Sequence, residues 1–189
     1  MIRTLSDARR AYIWRADLGL IACLIALGVV ARVLPHAPNV MPVAASGLFA
    51  ACVLRRRALA PLVPLAAMFL SDAVLGFSDW RVTAVVYVAL ALPAAAALLP
   101  ARWRKSVVLI PLVVSGSLAF FAASNFAVWA FSGMYTPDLQ GLIRCYVAAL
   151  PFLQNTIAGD LFWAAVLFGG YWLARIAPIR LRSFMRGTA

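Results

Sequence analysis

The chain contains no glutamate, one lysine, one histidine and three cysteines among its 189 residues, and charged residues of all kinds make up only 12%. A soluble domain carries about twice that charged fraction. The single histidine, His36, excludes a zinc or iron site built from several imidazoles. Cys23, Cys52 and Cys145 form no CxxC pair, and the first two sit inside apolar runs, where cysteine behaves as a small hydrophobe. No disulfide framework is implied. Also missing are a GxSxG elbow, a Walker phosphate loop, an HExxH pair and a Ser-His-Asp set on one side. The chain is therefore expected to be no enzyme and to have no catalytic residues, no metal, no cofactor and no ATP site of its own. No cleavable leader is expected either, because "MIRTLSDARRAYIWRAD" is too long and too acidic for one.

What is present is hydrocarbon. Hydrophobic residues make up 65% of the sequence, and the mean hydropathy is +0.94. Runs such as "LGLIACLIALGVVARVL" and "VTAVVYVALALPAAAALL" are continuously apolar. Barrel strands would alternate every second residue, so the pattern predicts an all-α polytopic membrane protein. Six spans are expected, over 18–34, 40–54, 59–77, 82–99, 107–131 and 157–176. The stretch "GLIRCYVAALPFLQN" between the last two reads as a re-entrant or surface helix, or as an early start of the sixth span. The chain divides into a basic N-terminal segment (1–16), a six-helix transmembrane domain (17–176) and a basic tail (177–189).

The net charge of +11 comes from 17 basic and 6 acidic residues. The basic residues cluster at the ends of apolar runs, where they meet lipid headgroups, so no nucleic-acid face is read. Fourteen fall on the N-terminal tail, the 2–3 link "RRR", the 4–5 link and the C-terminal tail, against three (Arg32, Arg81 and Arg144) on the opposite side. The positive-inside rule then predicts cytoplasmic termini.

Polar residues gather on the arginine-poor side, and this suggests an outward-opening pocket. The candidate ligand contacts are His36, Asn39, Asp72, Asn125, Trp129, Arg144, Tyr146 and Asp160, with Arg32 a possible partner for Asp72 or Asp160. A structural ion-pair and hydrogen-bond network would use the same groups, and an interfacial belt would use the same aromatics. His36, flanked by Pro35 and Pro38, sits on what reads as a proline-stiffened lip. Ala22 and Ala26, four residues apart on the first span and continued by Gly28, form a candidate face for a partner helix.

The strings "ARVLPHAPNVMPVAA", "PLAAMFLSDAVLGF", "SLAFFAASNFAVWA" and "GLIRCYVAALPFLQNTIAGDLF" resemble a family of small bacterial membrane proteins that is itself similar to the substrate-binding S components of energy-coupling-factor vitamin transporters. The resemblance runs from about Ala31 to Gly169. It implies a six-helix bundle in the bacterial inner membrane, with a vitamin-like ligand bound near the outer face. It also implies a small-residue face that docks a transmembrane coupling subunit driven by ATPases. The alternative from another class is a non-transporting accessory subunit of a larger membrane assembly. Cobalamin-binding S components reach cobalt with an outward cysteine. The loop "GFSDWRV" has none, and only Cys145 lies on that side.

Overall fold

In the computed structural model, the backbone of residues 2–100 and 106–187 and the side chains of 11–100 and 109–176 are described. Arg102, Arg104 and Lys105 of the fourth link, and the side chains of the outermost terminal arginines, lie outside these residues. Six α-helices follow one another among the described residues: α1 Ile2–Val33, α2 Val43–Val53, α3 Leu62–Leu75, α4 Trp80–Ala91, α5 Ser106–Phe131 and α6 Leu139–Gly187. Short 3-10 segments at Arg57–Leu59 and Leu92–Leu98 precede α3 and follow α4. No strand occurs among the described residues.

Among the described residues, five helical stretches are long and apolar enough to cross a membrane: Ala11–Val33, Arg57–Leu75, Trp80–Leu98, Leu109–Phe131 and Leu139–Ile176. Only 17–39% of their most apolar windows is buried within the bundle, which leaves the remainder to face lipid. The protein is thus a multi-pass helical membrane protein. The second expected span is different. α2 has 11 residues, about 16 Å of helix against a hydrocarbon core of about 30 Å. It starts after Pro42 and stops at Leu54, whose backbone turns extended.

α2 is apolar on every side, and its residues from Val43 through Ala51 are all buried. A helix without a polar face belongs at the centre of a bundle. Its small residues admit close neighbours. A Cβ on Gly47 would lie 3.2 Å from Pro64 and 3.4 Å from Ala94. Phe49 meets Phe168 and Tyr171 of α6 edge-on, at centroid distances of 5.1 and 5.7 Å.

The two expected single spans at 82–99 and 157–176 also take other forms. Pro93 lacks an amide hydrogen, and after Ala91 the helix tightens into the 3-10 segment. At the other end, "GLIRCYVAALPFLQN" is the early start of the last helix, so α6 runs unbroken from Leu139. The 16/17 and 176/177 segment boundaries both fall inside helices, α1 and α6.

Contacts fix the helix directions. Arg32 reaches Asp72, and a Cβ on Gly28 would lie 2.8 Å from that of Ala67, so α1 and α3 run parallel. Arg81, at the start of α4, lies 5.8 Å from the centre of the Phe131 ring at the end of α5. Asn125 of α5 meets Cys145 of α6, which puts the start of α6 at that same end. The loops 34–42, 76–79 and 132–138 therefore share the arginine-poor end. At the other end Asp17, 5% exposed, accepts the backbone amides of Arg55 (3.3 Å) and Arg56 (3.0 Å), while the Arg56 guanidinium lies over Trp14. That carboxylate satisfies two backbone amides of the turn that follows α2.

Gly28 is buried against α3, whereas Ala22 and Ala26 stay exposed on α1, so Gly28 does not continue their face. Gly28→Ala should destabilise the bundle by about 1–3 kcal/mol through overpacking. Gly19→Ala, where a Cβ meets nothing within 4 Å, should instead stabilise by up to about 1 kcal/mol through helix propensity. Thermal unfolding of the two variants in detergent tests the contrast.

Candidate functional site

Three helices converge on Asp72. It lies in the last turn of α3 and is 8% exposed. An Arg32 terminal nitrogen, from the last turn of α1, donates to Oδ1 at 2.7 Å. The Tyr87 hydroxyl, from α4, donates to Oδ2 at 2.7 Å. The other Arg32 terminal nitrogen contacts the Met68 sulfur. α3 ends one turn beyond Asp72, where Gly76 adopts φ +98°, a left-handed backbone suited to glycine, and donates its amide to the Asp72 carbonyl.

A charged pair this far from water persists only with its hydrogen bonds filled. Here both carboxylate oxygens are engaged, and the pair is neutral overall. It is the one salt bridge among the described residues. The guanidinium presents donors in a fork that fits a carboxylate or phosphate. A ligand anion on that fork would displace Asp72, whose carboxylate would then need a proton or solvent of its own.

The other expected contacts lie elsewhere. Asn125 donates its side-chain amide to Phe121 O (2.8 Å), Trp129 its indole N–H to Thr136 O (3.0 Å) and Tyr146 its hydroxyl to Ala122 O (2.6 Å). The Asn125 bond stays within α5, the Tyr146 bond fastens α6 to α5 and the Trp129 bond fastens α5 to the turn between them, and the Cys145 thiol adds a contact to Asn125 O at 3.4 Å. Arg144 is exposed beside that turn. His36 is exposed, its Nδ1 2.7 Å from Leu34 O, and Asn39 takes a positive φ of 64° in the same loop. That loop abuts α6, where a Cβ on Gly159 would lie 2.9 Å from Val40 Cα.

Asp160 lies deeper than its expected place at the start of a sixth span. α6 begins twenty-one residues earlier, about 32 Å along the helix. Asp160 is 6% exposed and bonds Ser117 of α5 at 2.7 Å, with no arginine beside it. The eight expected contacts are thus divided among four places rather than brought into one pocket.

Tyr87, Asp17 and Ser117 were not expected. A lone hydroxyl inside "VVYVAL" and an acid amid basic residues each require a partner once buried, and this signal was available in the sequence. Two further buried atoms, Ser46 Oγ on α2 and Trp163 Nε1 on α6, have no hydrogen-bond partner.

Outside the membrane spans, Asp138 caps the start of α6. Its carboxylate accepts the Gly141 amide (2.6 Å) and the Thr136 hydroxyl (2.9 Å), and these bonds, aided by the charge of Arg144, hold it below the usual carboxylate range. A depressed carboxyl contributes stability above its unfolded value of about 3.9 and loses it as pH falls through the folded value. The protection of the Gly141 amide, measured as its exchange rate relative to that of an unstructured peptide at the same pH, should therefore be full at neutral pH and fall on acidification below about pH 4, and in Asp138→Asn much of this pH response should vanish.

For the cluster, Asp72→Ala should cost roughly 3 kcal/mol by leaving the part-buried Arg32 unpaired. Tyr87→Phe should cost about 1 kcal/mol. Unfolding of the single and double variants, read as a mutant cycle, should show coupling between Tyr87 and Asp72.

Residues 14–181 match a family of unknown function (DUF6580). No curated protein and no solved structure shows significant similarity to the chain.

Proposed function

We propose that this chain, which belongs to the family of unknown function DUF6580, is a substrate-capturing membrane subunit that takes up a small vitamin-like molecule from its arginine-poor side. The observation that carries this reading is the Arg32–Asp72–Tyr87 cluster. It places a guanidinium, a carboxylate and a phenol from three helices close to one end of an otherwise apolar bundle. Polar groups at membrane depth are expensive, and such groups characteristically mark binding sites. A ligand bearing a carboxylate would pair with Arg32 while Asp72 takes up a proton and yields, and Tyr87 would follow the exchange.

The fourteen basic residues of the opposite end would then face the cytoplasm of a bacterial inner membrane and contact anionic lipid. Energy for uptake would come from a transmembrane coupling subunit with its ATPases. The exposed Ala22 and Ala26 on α1 offer such a subunit close approach. His36 and Asn39 would form the rim of the entry. Asn125, Trp129, Arg144 and Tyr146 would shape the α5–α6 wall beside it.

A second reading has its own observation. Asn125, Trp129 and Tyr146 are all satisfied by backbone carbonyls, as they would be in a structural network. On that reading the chain is an accessory subunit of a larger membrane assembly.

Native mass spectrometry of the purified full-length protein, combined with a thermal-shift screen of vitamins and their precursors, separates the two. The capture reading expects a retained or stabilising small molecule whose affinity falls at least tenfold, about 1.4 kcal/mol, in Arg32→Ala and Asp72→Ala. A folded protein that binds none of these molecules, and that purifies from native membranes in a stable complex lacking any ATPase, would sink it.

A further inference from the structure

The carboxyl of Asp160 has no part in the cluster, and its position is unusual. It lies sixteen residues after Arg144 and fifteen before Arg175 on one continuous helix. That is about 24 and 23 Å of rise, so if the two arginines mark the two headgroup layers, Asp160 sits at the bilayer midplane. Its partner Ser117 is eleven residues from the start of α5 and fourteen from its end, also mid-membrane. The small cavity beside it is lined by Ala44, Ala45 and Leu48 of α2, Pro93 of the 3-10 segment and Val113 of α5. None is basic and none titrates.

The contacts of Ser117 accommodate a protonated carboxyl. Ser117 Oγ lies 3.1 Å from Val113 O and 2.7 Å from Asp160 Oδ2. A serine hydroxyl has one proton, and if Asp160 were ionised both neighbours would be acceptors competing for it. With a proton on Oδ2, Asp160 donates to Ser117 Oγ and Ser117 donates to Val113 O, and every contact is satisfied. The alternative, an unpaired carboxylate among alanine, leucine, proline and valine, is the arrangement that buried acids avoid by neutralising. Beside the carboxyl is a cavity of about 10 Å3, about the room that one water requires.

We propose that Asp160 is a proton-binding site at the membrane midplane, loaded at neutral pH and closed by Ser117, with the adjacent cavity as the seat from which a single water exchanges the proton. This inference does not depend on the capture reading above.

The chain has six aspartates and no glutamate, so infrared spectroscopy can isolate the group. The full-length protein, with 13C-carboxyl aspartate, would be reconstituted in lipid vesicles at neutral pH. The expected spectrum contains the carbonyl stretch of a protonated carboxylic acid, sensitive to the isotope. It is lost in Asp160→Asn and shifted in Ser117→Ala, which removes the hydrogen bond while keeping the acid. If Asp160→Asn does not fold, the Ser117→Ala comparison decides alone. A spectrum with only carboxylate stretches, or an acid band that Ser117→Ala leaves unmoved, overturns the proposal.

Discussion

An apolar helix too short to cross the membrane is the constraint on which the rest depends. α2 covers about half of the hydrocarbon thickness, and the chain at both its ends is irregular backbone at membrane depth. Such backbone is tolerated only when wrapped in protein. The neighbours supply the wrapping: α1 and α3 pack closely through Gly28 and Ala67, the 3-10 segment lies against Gly47, and α6 lies against Phe49. Asp17 then accepts the amides just past the end of α2. α6 covers the other side, where Gly159 lets it approach the 39–40 backbone.

This arrangement explains why the polar residues are dispersed. Helices that surround a central helix present their inner faces to it, and that centre is filled by Val43, Ala44, Ala45, Leu48, Ala50 and Ala51. Polar groups can meet only in the seams between outer helices or at the ends. Arg32, Asp72 and Tyr87 occupy the α1–α3–α4 seam. Asn125, Cys145 and Tyr146 occupy the α5–α6 seam. Asp160 and Ser117 lie beside the central helix, and there the solution is a hydrogen bond between small groups rather than an ion pair.

Much of this was legible in the sequence. The all-helical membrane class followed from runs too long and too continuous for strands. The gathering of Arg32, Arg81 and Arg144 at one end followed from their spacing between spans, and the contacts of Arg32 with Asp72 and of Arg81 with Phe131 place that end in space. The pairing of Arg32 was legible as a choice between Asp72 and Asp160, because an arginine at the end of an apolar span requires an acid. The choice itself was not, since it turns on the parallel course of α1 and α3. The depth of Asp160 was hidden for a local reason. Pro151 and Arg144 read as interruptions, yet the helix passes through both.

The sequence by itself determined the solvent this protein lives in and which end carries the positive charge, because hydropathy and charge act residue by residue along the chain. Only the tertiary structure decided that α2 is the core, that Asp72 rather than Asp160 receives the arginine, and that Tyr87 completes the cluster. Those outcomes depend on which helix faces meet, and one apolar face looks like another until packing joins them.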